Sequence, residues 1–306
     1  MNTLLVIDGN AIMHRAFHAI PPFKTKKGIP TNVIYGFFTM LYKAIQDFNP
    51  KYIVVCFDTP AQTFRQKLHK EYQAHRPEMA DEFRTQIPLL KDLLDKTKIY
   101  REEQDGLEAD DIIGTIVVKA KDKNTKILIL TGDKDIMQLV DENVFVVSPQ
   151  IGFSNTKIYN VEEVKKKLFV DPSQIPDWKA LAGDPSDNYK GAKGIGPKTA
   201  ARLVDQYKTL ENIFSSLPKI KEEKIKKILL GHKKDILLAK QLSEIVTDAK
   251  ISFDMKKARF DGFTPELKKS FSELEMNSLI QRFFNERPVP APKPKKKTSD
   301  DQINLF

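Results

Sequence analysis

The chain has 306 residues, 41% hydrophobic and 30% charged, with 50 Lys and Arg against 41 Asp and Glu for a net charge of +9. That length suits two domains, or one large domain with an appendage, and the lone cysteine, Cys56, excludes an internal disulfide. No apolar run approaches the ~18 residues of a membrane span, and "MNTLLVIDGN" lacks the basic start of a signal peptide, so the chain reads as a cytoplasmic protein with no membrane partner.

In chain order, the first half alternates short β-rich runs with helical patterns. The runs are "TLLVID" (3–8), "YIVVCFD" (52–58), "KILILTGD" (126–133) and "VFVVS" (144–148), with helical periodicity near 33–48, 79–96 and 108–122. Near-continuous apolar strands between helices predict an α/β domain whose mostly parallel sheet is buried on both faces. Cys56, inside an apolar strand, reads as a structural thiol. Beyond about residue 172 the pattern is mainly helical to about 287. "RPVPAPKPKKKTSDD" then reads as a linker or disordered tail. The predicted units are 1–172, 173–287 and 288–306. Without the last, the chain still carries +7, and a basic body points to a polyanion as partner.

Three of the strands end in aspartate: Asp8, Asp58 and Asp133. In open α/β sheets the site lies beyond the carboxyl ends of the strands. "GLEADDIIGTIVVKA" adds Glu108, Asp110 and Asp111 at a helix start. There Ile112, Ile113, Ile116, Val117 and Ala120 mark the buried face, so the acids are expected to face away from it. Acids in a first turn complement the helix dipole, but three together repel unless a cation sits among them. Asp135 follows Asp133, and "LAGDPSDN" supplies Asp184 and Asp187 in a turn-rich stretch. So many carboxylates cannot share a cleft uncompensated. Divalent ions relieve the repulsion, and two ions ~3.5–4 Å apart suit attack on a phosphodiester. The five histidines form no zinc-type spacing with Cys56, so the expected ion is a hard one held by oxygen.

Two other acid-rich enzyme classes fit poorly. A haloacid-dehalogenase-like phosphatase needs a second aspartate two residues after the first, but Gly9 and Asn10 follow Asp8; a P-loop needs lysine where Pro197 stands. "GAKGIGPKTAARLVDQY" reads instead as a glycine-hinged hairpin entering a helix. Gly194 and Gly196 admit a phosphate to the backbone N–H groups, and Lys190, Lys193 and Lys198 add charge that is blind to base sequence.

The motifs "VIDGNAIMHRAFHA", "VVCFDTPAQTFR", "GLEADDIIGT", "LTGDKDIMQLV" and "GDPSDNYKGAKGIGPKTA" resemble, in order, those of the 5′ nuclease domain of bacterial DNA polymerase I and of flap endonucleases, from Leu4 to about Phe284. The resemblance implies a PIN-like or resolvase-like α/β domain with a helical arch at about 62–84, followed by a helical helix-hairpin-helix subdomain. It also implies a metal-dependent nuclease that cuts 5′ flaps and nicked or recessed 5′ ends of DNA. Its ions would be two Mg2+, with Mn2+ able to substitute, and the hairpin would take K+ through backbone oxygens. All nine acids match the family's metal-site positions: Asp8, Asp58, Glu108, Asp110, Asp111 and Asp133 nearest the catalytic ions, Asp135, Asp184 and Asp187 completing the second site. Arg15 and Arg76 match basic residues of the catalytic machinery, and Arg65, Lys70 and Tyr72 fit the DNA-contacting pattern of the arch. Gln73 stands where the family carries lysine, and a neutral amide cannot steer phosphate by charge; Lys70 and His75 compensate in part. Tyr189, Lys190 and Lys193 also depart from the family's aliphatic residue and prolines, adding positive charge.

The tail ends in "QINLF", similar to peptides with which bacterial replication proteins bind the sliding clamp. Gln302 would set register while Leu305 and Phe306 fill a pocket. The "KPKKK" run also resembles a nuclear-localisation signal, which the bacterial resemblance disfavours. The leading reading is a structure-specific 5′ nuclease, monomeric, acting in primer processing and repair. The competing readings are a non-catalytic DNA-binding scaffold and a PIN-type endoribonuclease, which normally lacks the arch and hairpin. A stand-alone nuclease and the first part of a polymerase I both fit the sequence.

Overall fold

The computed structural model of the chain describes residues 2–150 and 156–284. Six strands form one sheet: β1 (Asn2–Asp8), β2 (Tyr52–Phe57), β3 (Tyr100–Glu103), β4 (Thr125–Leu130), β5 (Val144–Pro149) and β6 (Thr156–Tyr159). Their order is β3-β2-β1-β4-β5-β6, parallel except for β6, which runs antiparallel to β5. The four strands expected from apolar runs are present. The other two, "YREE" and "TKIY", sit at the sheet edges, where charge blocks edge-to-edge pairing and leaves no apolar run to read.

Because side chains alternate across a strand, each central strand feeds two cores. Leu4, Val6, Val54, Cys56, Ile127 and Ile129 face one side; Leu5, Ile7, Val55, Phe57, Leu128 and Leu130 face the other. Register keeps the layers matched, with Val6 between Val54 and Ile129. The helices of the first half are α1 (Gly9–Ala19), α2 (Asn32–Phe48), α3 (Phe64–Leu68), α4 (Asp81–Arg84), α5 (Gln86–Thr97) and α6 (Ala109–Ala120). Helix α1, which periodicity missed, starts directly from β1, with Asp8 capping it by accepting from the Ala11 N–H at 2.9 Å.

The expected helical arch over 62–84 takes another form. Only α3 and α4 are helical, and residues 69–76 between them form successive turns closed by Tyr72 N–H to His69 O, Ala74 N–H to Glu71 O and Arg76 N–H to Gln73 O. The local reasons are a left-handed Gln73 (φ 56°) and Pro77, which has no N–H to donate.

After β6 come α7 (Val161–Leu168), α8 (Ile175–Ala182), α9 (Pro197–Tyr207), α10 (Leu210–Ser215), α11 (Glu223–Gly231) and α12 (Lys233–Ser243). Residues 245–251 then run against α6, where the Thr115 hydroxyl accepts from the Ala249 N–H (3.2 Å) and the Lys119 ammonium donates to Ile251 O (2.8 Å). Contact there is so close that a Cβ on Gly114 would lie 2.6 Å from Ile245 Cγ2. The chain rejoins the sheet at the start of β2, ahead of its pairing with β3, where Ile53 N–H donates to Ala258 O and Phe260 N–H to Lys51 O.

The last two helices, α13 (Pro265–Glu273) and α14 (Asn277–Phe284), were expected with the second subdomain. They pack instead on the face of the sheet covered by α1, α2 and α5. Phe271 is fully buried, with its ring edge-on to Phe38 at 5.0 Å and to Phe283 at 5.4 Å. Phe271→Ala should therefore cost ~3–5 kcal/mol and lower the thermal midpoint by roughly 10 °C. An unchanged midpoint would remove α13 from the core's cooperative unit.

Candidate active site

Strand order changes direction between β1 and β4, the position at which open α/β sheets place their sites. Asp8 ends β1, and its second oxygen accepts from the buried Thr131 hydroxyl at 2.7 Å. Asp58, just past β2, accepts from the Ala109 N–H at the start of α6 (2.7 Å), and its own N–H donates to Asn10 Oδ1 (3.0 Å). Asp133 follows β4, held by its N–H to Thr131 Oγ1 (2.9 Å). With Glu108 and Asp110 these acids line one cleft, along with His14, Gln73 and Arg76.

Among the described residues, no ion pair reaches Asp8, Asp58, Asp110 or Asp133. Burial, with the charge of Asp133 and Asp58 added, pushes Asp8 up to about 7 against its hydrogen bonds to Ala11 and Thr131. Burial and Asp133, Asp8 and Asp135 raise Asp110 well above the carboxylate range, and burial raises Asp58. Glu108 is pushed up to about 7, mainly by burial, with Arg65 opposing. A set of oxygen donors that resists its own ionisation fits a hard divalent cation.

Asp111 departs from expectation. It is completely buried rather than facing the cleft. Its Oδ2 accepts from Arg65 Nη1 (2.7 Å) and the Glu108 N–H (3.1 Å); Oδ1 accepts from Arg65 Nη2 (2.8 Å) and the Val246 N–H (2.9 Å). With its lone pairs thus occupied it is no metal ligand here. Arg65 is equally far from its expected DNA-binding role, at 2% exposure. Beyond Asp111, it donates to Leu242 O (2.9 Å) and Glu244 O (2.8 Å) and lies 3.3 Å from Glu108 Oε2. Tyr72, also placed with the DNA contacts, is buried with its hydroxyl donating to Glu108 Oε2 at 3.2 Å. Both aim inward because α3 and the following turn lie against α6.

A second acid group adjoins the first. Asp135, Asp184 and Asp187 offer carboxylate oxygens that all lie within 4.8 Å of one another. Where the first group has only Arg65, 3.3 Å from Glu108, this one carries two cations of its own. The Lys179 ammonium, on α8, donates to both Asp135 and Asp184. Arg76 Nη2 donates to Asp187 Oδ1 (2.7 Å), which also accepts from the Gln73 amide (3.0 Å). The loop is a tight hairpin, in which Asp184 and Tyr189 exchange backbone hydrogen bonds, Gly183 has φ 76°, and a Cβ there would meet Gly191 N at 2.6 Å. Further ties to the 69–76 turns run from Asn188 Nδ2 to Glu71 O (2.7 Å) and from Gln73 N–H to Asp187 O (3.0 Å). Burial opposes the charge on Lys179, but Asp135, Tyr189 and Asp184 overcome it and hold its pKa above the usual value. Asp135 is still pushed up to about 6, chiefly by burial and despite Lys179, and Asp184 is lowered against burial by Lys179 and Ser186.

The basic surface lies beside these acids. Lys190, Lys193, Gly194, Gly196 and Lys198 are exposed along the hairpin that leads into α9, as is Lys70 on the 69–76 turns. Gly194 needs its glycine because φ is +102°, whereas at Gly196 nothing lies within 4 Å of a Cβ, so the start of α9 is open to a ligand. Arg15 is half-buried on α1 with its Nε lacking a partner, and it does not line the acidic cleft. Gln302, Leu305 and Phe306 fall outside the described residues. Sequence reasoning missed Asn10, Thr131 and His14, and above all Lys179. Its one signal was a lysine in a helix whose positions Ile175, Pro176, Ala180 and Leu181 are apolar and buried.

Residues 3–169 match the family described as 5′-3′ exonuclease, N-terminal resolvase-like domain, and residues 170–266 match 5′-3′ exonuclease, C-terminal SAM fold. A 5′-3′ exonuclease of Aquifex aeolicus is 40% identical over 284 residues, covering 92% of this chain and 95% of that protein. DNA polymerase I of Bacillus subtilis is 36% identical over 280 residues, 91% of this chain but only 32% of the polymerase. The chain thus spans about a third of such polymerases. Zinc-bound T5 5′-exonuclease has the same fold, with TM-score 0.65 and 20% identity over 93% of this chain and 98% of that one.

Two measurements test this geometry. Asp111→Asn would strand the buried Arg65 charge and should cost ~3–5 kcal/mol in chemical denaturation, leaving Mn2+ affinity within about twofold. Lost ion binding at unchanged stability would return Asp111 to the ligands. The second concerns pH. Asp8, near 7 when folded and near 3.8 when not, binds more protons folded than unfolded across that window. Its contribution to stability therefore falls as pH rises from about 4 through 7. Metal-free protein should lose several degrees of thermal midpoint between pH 5 and 8, with Mg2+ or the Asp8→Asn change reducing the slope. A midpoint that rises over this range would contradict the charge assignment.

Proposed function

Because the chain belongs to the 5′-3′ exonuclease family of nucleases, we propose that it hydrolyses phosphodiester bonds at 5′ flaps, nicks and recessed 5′ ends of DNA, in primer processing and repair. One observation carries this reading. Two adjoining carboxylate groups at the carboxyl edge of the sheet lie beside an exposed glycine-lysine hairpin at the start of a helix.

The first group, Asp8, Asp58, Glu108, Asp110 and Asp133, would hold one Mg2+, and Asp135, Asp184 and Asp187 a second, with Mn2+ as substitute. Bound divalent ions supply a water of lowered pKa and charge stabilisation at phosphate. The chain's own part is positional. Thr131 and the Ala11 N–H fix both oxygens of Asp8, and the start of α6 fixes Asp58. Lys193, Lys198 and the start of α9 grip a duplex backbone without reading bases, and backbone oxygens there suit K+. Arg76, 56% exposed at its side chain, is free to turn from Asp187 to a phosphate, with Lys70 nearby on the surface. The buried Arg65 and Tyr72 support the site without touching DNA. The tail sequence "QINLF" supports docking to a bacterial sliding clamp, and a monomer suffices for all of these contacts. A PIN-type ribonuclease is disfavoured by the hairpin.

The test compares labelled 5′-flap DNA, flap RNA and blunt duplex, with and without Mg2+. Flap DNA should be cut only with the ion. Asp8→Ala or Asp133→Ala should reduce cleavage by at least ~1,000-fold, about 4 kcal/mol of barrier, while flap binding in Ca2+ stays within a few-fold. Full activity in EDTA, or preference for RNA, would overturn the proposal.

A further inference from the structure

The two acid groups are compensated in different ways. Among the described residues Asp8, Asp58, Asp110 and Asp133 have no ion-pair partner and Glu108 meets only Arg65, at 3.3 Å, whereas Asp135 and Asp184 share one ammonium. Lys179 reaches them from the buried side of α8, five residues before Asp184, and is itself 7% exposed. Its stem is fixed by a helix whose neighbouring positions, Ile175, Ala180 and Leu181, are in the core. The ammonium therefore occupies the space between two carboxylates that a divalent ion would bridge, and it cannot swing freely into solvent.

We propose that Lys179 is a resident competitor for the second divalent ion: it neutralises Asp135 and Asp184 while the cleft holds no DNA, and an ion enters fully when the negative charge of a phosphate in the cleft offsets the ammonium's repulsion. This rests on the divalent-ion reading of the Asp135, Asp184 and Asp187 group. A fixed positive charge disfavours a second cation on the same oxygens by direct repulsion and by occupying their lone pairs. A phosphate entering the cleft brings negative charge to both cations, so ion and DNA binding become coupled, each strengthening the other by the same factor. The first group has no ammonium shared between its carboxylates and fills independently.

The experiment counts Mn2+ bound to DNA-free protein by the loss of the free-ion paramagnetic signal, for wild type, Lys179→Met, Lys179→Arg and Asp184→Asn. Wild type should show one tighter and one weaker ion. Lys179→Met should tighten the weaker one by about tenfold, Lys179→Arg should leave it weak, and Asp184→Asn should abolish it. Thermal midpoints give a second readout. Stripped of its internal cation, Lys179→Met should be the least stable variant without metal and gain the most from Mn2+. Two ions in both wild type and Lys179→Met with equal affinities would overturn the competitor and leave the ion reading standing. A Lys179→Met protein that is destabilised and not restored by Mn2+ would likewise show Lys179 to be structural. Ion stoichiometry unchanged by Asp184→Asn would overturn the ion reading itself.

Discussion

Burying a parallel sheet on both faces sends the chain out of every parallel strand at one edge, and here the residues that leave are Asp8, Asp58 and Asp133. The apolar layers that stabilise the sheet also dry the floor of the cleft, so Asp8, Asp58 and Asp110 are raised first by burial and then by their acidic neighbours. Fold and site are thus one arrangement. Hydrogen bonds from the start of α6 and from Thr131 hold acids that would otherwise move apart. The second group carries less unbalanced charge because Lys179 and Arg76 reach into it.

A single guanidinium joins the parts of the chain around that cleft. Arg65, at the base of the turn-rich segment, takes Asp111 of α6 on one side and the carbonyls of Leu242 and Glu244 on the other. Buried pairs of this kind contribute little net stability over an apolar substitute. What this one supplies is register, because its donors are directed at groups on different elements. Together with Gln138, which bonds Ser243 and Ile245, and the Lys240–Asp177 pair, it positions α12 relative to the acids.

Much of this was legible in the sequence. Apolar runs located the four central strands, and aspartates at strand ends located the cleft, because burial on both faces and the carboxyl-edge rule act locally. The edge strands β3 and β6 were not legible, since an edge tolerates charge. The crowding of Glu108, Asp110 and Asp111 reads in the sequence as requiring a cation. For Asp111 that cation is Arg65, a residue 46 positions away whose burial no periodicity discloses. Lys179 escaped for the same reason: pairing with Asp135 across 44 residues is a property of the tertiary fold. The shape of the 69–76 turns likewise depends on contacts with the loop after Asp184.

The return of the chain to the sheet has a geometric outcome for the helical subdomain. Residues 245–251 lie along α6, Ala258 and Phe260 bond at the start of β2, and α13 and α14 close over the opposite face. The hairpin is therefore carried on a segment clamped at both its entry and its exit. A swing about one end would have to break hydrogen bonds and core contacts at the other. The span from the lysines of the hairpin to the acids of the cleft is thereby set as a length in the protein, and under the proposed function a duplex gripped at one end would meet the acids a fixed number of nucleotides away.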